Sequence, residues 1–170
     1  MSDILSKITD SRGLVEKIAS KIPGFGGYME RETRRTADKL LRETLVQRYE
    51  EQWARISEIQ RQMVSEGMID SIDNMEAAAI KLRRFIDSVK TASYGYAPLF
   101  DAVKVDEDAL LKLYNYDQSL LEGVNKVAGA VDNVQASVGT DGLPAAIRNL
   151  TAICADAVTA FEKRKEVITA

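Results

Sequence analysis

The sequence predicts an all-α protein. The expected form is an elongated antiparallel four-helix bundle over about residues 29–66, 70–92, 106–138 and 144–168, with an additional N-terminal amphipathic helix at 3–22. Three observations carry this expectation. Apolar residues recur at heptad spacing over long runs. Most of the 10 glycines and all 3 prolines in the 170 residues fall at or between those runs. The junctions between runs are mostly short, and short junctions join antiparallel neighbours.

Residues 3–22 place Ile4, Ile8, Val15, Ile18 and Ile22 on one face, with Leu5 beside them, and Gly13 weakens the middle. Pro23 ends this helix. Residues 23–28, "PGFGGY", form a glycine and aromatic hinge. The next run is long and less regular, through Leu41, Leu45, Tyr49, Gln52, Ile56, Ile59 and Met63. Gly67 sits where a helix C-terminus favours glycine, and Asp70 is placed to cap the helix after it. That helix carries Met68, Ile72, Met75, Ala79, Leu82, Ile86 and Val89 at alternating spacings of four and three.

After the one long connection, "SYGYAPLFDAVKV" at 93–105, comes the strongest signal in the chain. Leu110, Leu113, Asp117, Leu120, Val124, Val127, Val131, Val134 and Val138 form an unbroken heptad stripe, apolar except at Asp117. Asp106, Glu107 and Asp108 suit its first turn, where carboxylates meet the positive end of the helix dipole. "GTDGLP" at 139–144 turns the chain, with Pro144 in the first turn of the last helix. The last stripe is Ile147, Leu150, Cys154, Ala157, Phe161, Arg164 and Ile168. Helices of this length run to roughly 50–57 Å, so one rod-shaped domain spanning 1–170 is expected.

Register adds a specific contact. Counting equally back from the 139–143 turn, Asp117 falls level with residue 165 or its neighbour. Asp117 is the one acidic residue on its stripe and Arg164 the one basic residue on the other. A buried Asp117–Arg164 ion pair is therefore predicted, a layer that fixes helix register in bundles of this kind.

The same counting leaves the first turns of 29–66 projecting beyond its shorter partner. Phe25, Tyr28, Tyr94, Tyr96, Phe100, Tyr114 and Tyr116 gather at that pole with Arg31, Arg34, Arg35, Lys39 and Arg42. Either the aromatics plug the bundle end and the arginines pair with Glu30, Glu32, Asp38 and Glu43, or the pole is a cleft for an anion or a partner peptide. The glycine hinge is not a phosphate loop, because no Lys-Ser/Thr follows at the required spacing and no strand precedes it.

Composition narrows function. The chain has no histidine, which removes the commonest general base and most transition-metal sites. The lone cysteine, Cys154, lies on a core stripe and reads as a small buried hydrophobe. No enzyme, cofactor or metal is implied. One cysteine also fits a reducing, cytoplasmic setting. Residues 1–48 hold 10 basic and 7 acidic residues against 13 and 19 in the remainder, a balance that argues against nucleic acid as a partner.

The leading expectation is a structural or interaction protein that associates with itself or with another helical protein. Gly123 and Gly129, with Ala128, Ala130 and Ala136, would allow close helix approach on a second face of 106–138. The alternative is a peripheral membrane adaptor using the 3–22 face (Ile4, Leu5, Ile8, Val15, Ile18, Ile22). A short amphipathic helix, a hinge and a long helical hairpin is similar in layout to bacterial membrane-remodelling proteins of the phage-shock class. Binding of a small anion at the aromatic and arginine pole is a third expectation.

Overall fold

The computed structural model describes Ser20, residues 31–92 and residues 107–169. Among these residues the fold is all-α, with no strand. Helix α1 spans Arg31–Ser65, α2 spans Ile72–Thr91, α3 spans Glu107–Ser137 and α4 spans Leu143–Thr169, and a 3-10 turn at Ile69–Ser71 joins α1 to α2. The described limits lie within two residues or so of the expected ones.

Local chemistry explains the turns. At the end of α1 the Met68 N–H donates to the Met63 carbonyl (2.9 Å) and the Gly67 N–H to the Val64 carbonyl (3.1 Å). Those two bonds make a Schellman cap, and it requires the left-handed backbone that Gly67 adopts at φ +74°. The following helix start differs from expectation. Asp70 does not cap α2; it lies within the 3-10 turn, Ser71 occupies the cap position, and neither supplies a side-chain cap bond. The tight 3-10 turn takes up the residues that would have placed Asp70 before the first helical turn. At α4 the order is as expected: Pro144 sits in the first turn, where a missing N–H removes no helical bond.

Among the residues whose side chains are described, each helix buries the central part of the stripe its spacing marked, with Met68, Ile72 and Val138 half-buried at the stripe ends, and more besides. On α1 every stripe residue from Leu41 to Met63 is buried, Gln52 included. Alongside the stripes, α2 also buries Ala78 and Phe85, α3 buries Leu121 and Ala130, and α4 buries Leu143 and Ala146. A helix at one corner of a four-helix bundle faces two neighbours, so its apolar band is wider than a single seam.

The neighbours are α1 with α2, α3 with α4, α2 with α4, and α1 with α3. The two sequential hairpins are antiparallel. Across the hairpins the helices run in the same direction. Tyr49 meets Leu120, and six residues further on Arg55 meets Asp132, so α1 and α3 advance together. Asn74 and Ala77 lie against Pro144 and Ile147, and Phe85 meets Phe161, so α2 and α4 do likewise. Val46 and Val89 line one groove, which sets the end of α2 level with Val46. Arg42 and Glu43 line the same groove, so the part of α1 from Arg31 to Leu41 projects about 15 Å past α2.

Candidate functional site

Asp117 and Arg164 come together. The Arg164 Nε–H donates to Asp117 Oδ1, and the two side chains are 0% and 1% exposed. Each sits on its own helix stripe, so the α3–α4 register alone delivers the contact. A charge in so dry a layer is tolerated only with its partner in place.

One turn further along α3 lies a second polar device. The Tyr49 hydroxyl, fully buried, donates to the Leu120 carbonyl at 3.0 Å. That carbonyl has a second lone pair for its own helical N–H partner, so the bond joins α1 to α3 without breaking either helix. The hydroxyl reaches the α3 backbone because Gly123 has no side chain: a Cβ there would lie 2.6 Å from Tyr49 Oη. Below, the Tyr49 ring stands edge-on to Phe85 (centroids 4.6 Å apart), which stands edge-on to Phe161 (6.0 Å). Three helices thus share one aromatic layer.

Gly123→Ala is expected to cost about 1–3 kcal/mol by overpacking against a ring that cannot retreat, outweighing the gain of about 1 kcal/mol in helix propensity. Urea denaturation of the single variant and of the pair with Tyr49→Phe checks this. With the hydroxyl removed, the alanine should be tolerated.

Cys154 is buried at the centre of α4. Burial pushes its thiol up to about 12 from an ordinary 9, with Lys81 pulling weakly the other way. Tyr49 is pushed upward too, by burial first and then by the neighbouring Cys154. Both folded values are raised, so their stabilising contribution is whole below about pH 9 and falls as pH rises through the range in which only the unfolded chain ionises. Native protein should resist thiol-labelling reagents at neutral pH. Stability should fall by on the order of 1–2 kcal/mol between about pH 8 and about pH 10.5, and Cys154→Ala should flatten that fall.

Among described residues outside the core, charges pair across the surface. Glu50 accepts from Lys90, Arg83 sits 3.1 Å from Asp87 and lies over the Trp53 ring at 5.6 Å, and Arg55 bridges Gln52 on its own helix and Asp132 on α3. The Arg55 bond to Gln52 explains how an amide sits on the core stripe.

The other sequence expectations are distributed as follows. Phe25, Tyr28, Tyr94 and Tyr96 lie outside the described residues, as do Ile4, Leu5, Ile8, Val15, Ile18 and Ile22. Arg31, Arg34 and Arg35 are in the projecting part of α1, and Tyr114 is on α3, with their backbones described. At that end a groove of about 270 Å³ opens between Arg42, Glu43, Val46, Val89 and Lys90.

The expected second face of α3 is redrawn. Ala130 belongs to the core, Gly129 is exposed with open space around it, and Gly123 serves Tyr49. Small residues of α4, Ala157 and Ala160, lie alongside Gly123. A groove of about 190 Å³ runs between α3 and α4 over Ser119, Gly123, Ile153, Ala157 and Ala160, with Lys126 and Asp156 on its rims. Sequence reasoning missed the α4 half; the Ile153, Ala157, Ala160 spacing beside the core stripe was the available signal. No described helix is long and apolar enough to cross a membrane. No family model, curated protein or solved structure matches the chain.

Proposed function

We propose that this chain is a non-enzymatic helical scaffold that acts by docking helices, with itself or with a helical partner. The α3–α4 groove over Gly123 supports the reading best. Gly123, Ala157 and Ala160 are among its lining residues, so a helix laid along it can approach closely, and Lys126 and Asp156 add one charge of each sign to orient what docks. Size-exclusion chromatography with light scattering tests self-association directly. A mass that rises with concentration, and that returns to monomer in Ala160→Arg, is expected. A strict monomer at high micromolar concentration counts against self-association and leaves helical partners, sought with Ala160→Arg as the non-binding control.

A further inference from the structure

We propose that the helices docked on the α3–α4 groove are those of a second copy of this chain. The two copies lie side by side about a two-fold axis parallel to the helices, so that α3 of each covers α4 of the other. The proposal rests on the reading of that groove as a helix-docking surface and names its occupant.

The Asp117–Arg164 contact fixes which residues of α3 and α4 stand level. Lys126 is nine residues beyond Asp117 and Asp156 eight before Arg164, so the two groove charges are level to within one residue, about 1.5 Å. Both are exposed, and among the described residues neither enters an ion pair. The same matching continues toward the α3–α4 turn. Gly129 and Ala152 stand level, each twelve residues from the ion pair, and Asn133 and Asn149 are level to within one residue. All four are exposed. Spacings of three and four put Lys126, Gly129 and Asn133 on one face of α3, and Asp156, Ala152 and Asn149 on one face of α4.

Such a face is complementary to itself. In a two-fold dimer one surface meets its own copy, residue i on residue j and j on i. With the axis along the helices and midway between α3 and α4, each level of α3 meets the same level of the second copy's α4. Lys126 then meets the second copy's Asp156, and the contact occurs twice. Gly129 meets Ala152, a small pair that lets the backbones approach, and Asn133 meets Asn149, an amide pair able to donate and accept both ways. An axis across the helices at the same layer sets Lys126 on Lys126 and Asp156 on Asp156, which opposes association. At this layer the groove charges select the parallel arrangement.

Charge swaps in the full chain test this, read by light scattering at low salt. Lys126→Asp and Asp156→Lys each turn two attractive contacts into two repulsive ones. Each should weaken self-association about tenfold, and the loss should shrink at high salt. The double variant Lys126→Asp/Asp156→Lys remakes both contacts and should self-associate like the native chain. These side chains are exposed, so Tm should stay near the native value in every variant. Single swaps without effect overturn the proposal, and so does a double swap that fails to restore association. Disulfide trapping reads the axis directly. On a Cys154→Ala background, Gly129→Cys mixed with Ala152→Cys should give a linked dimer under mild oxidation, while either protein alone stays unlinked. Linkage of each protein with itself places the axis across the helices and overturns the arrangement. A strict monomer at high micromolar concentration also overturns the proposal and leaves the groove to a different helical protein. Self-association abolished by Ala160→Arg but indifferent to both swaps removes the proposal and leaves the scaffold reading standing.

Discussion

Asp117→Ala should cost about 3–5 kcal/mol, seen as a drop in Tm of roughly 6–20 °C for a chain of this size. The loss has little to do with the strength of the pair itself. Truncating the aspartate takes from the Arg164 guanidinium, 1% exposed, the carboxylate that offsets the desolvation of its charge. The matching expectation runs the other way: Asp117→Leu with Arg164→Met replaces the ion pair by apolar groups of similar bulk and should leave stability unchanged or raised. Thermal melts of the three proteins decide the matter, and an unchanged Tm in Asp117→Ala would show that the charge is not dry. The pair also has a reason to exist beyond stability. Slipping α4 by one heptad against α3 keeps valine, alanine and leucine in contact, but it sets Asp117 against Ala157 and Arg164 against Leu110. That slip separates the two charges inside the core, so the ionic layer disfavours it.

Phe85→Ala is the second large effect, expected at about 3–5 kcal/mol. Phe85 is fully buried and is the shared member of the aromatic layer, edge-on to Tyr49 of α1 and to Phe161 of α4. Its removal opens a cavity where three helices meet, and the Tyr49 bond to Leu120 holds one wall in place, so the site cannot collapse to fill it. Urea denaturation followed by Trp53 fluorescence measures the change, since that single tryptophan is half-buried on α1 beside α2. Phe85→Leu should cost markedly less, because it keeps most of the apolar volume. Equal losses for leucine and alanine would mean that ring geometry, not filled volume, carries the layer.

The stripes themselves were legible, and so was Asp117 opposite Arg164. Both depend on quantities the chain carries locally: a 3.6-residue period and a count of residues from a turn. Leu121, Ala130, Phe85 and Ala146 were not legible as core. Each sits one position off its heptad seam, and only a second neighbour makes that position interior. Gly123 was marked as a place of close approach, but what approaches is the Tyr49 hydroxyl from inside the bundle. A glycine in a helix signals lost volume without saying on which side the volume is used.

Sequence alone determined that this chain is helical, where its helices stop, which face of each is apolar and which two charges share a layer. Periodicity, glycine and proline placement and hairpin register are enough for that. Tertiary structure decided which helices are neighbours: the two antiparallel hairpins lie side by side with α1 along α3 and α2 along α4, each pair running in the same direction. It also decided that α3 and α4 together build the groove over Gly123. Heptad stripes on four helices fit more than one arrangement around a square, so the choice falls to contacts between residues far apart in the chain, the Tyr49 hydroxyl on Leu120 and the Arg55 guanidinium on Asp132 among them.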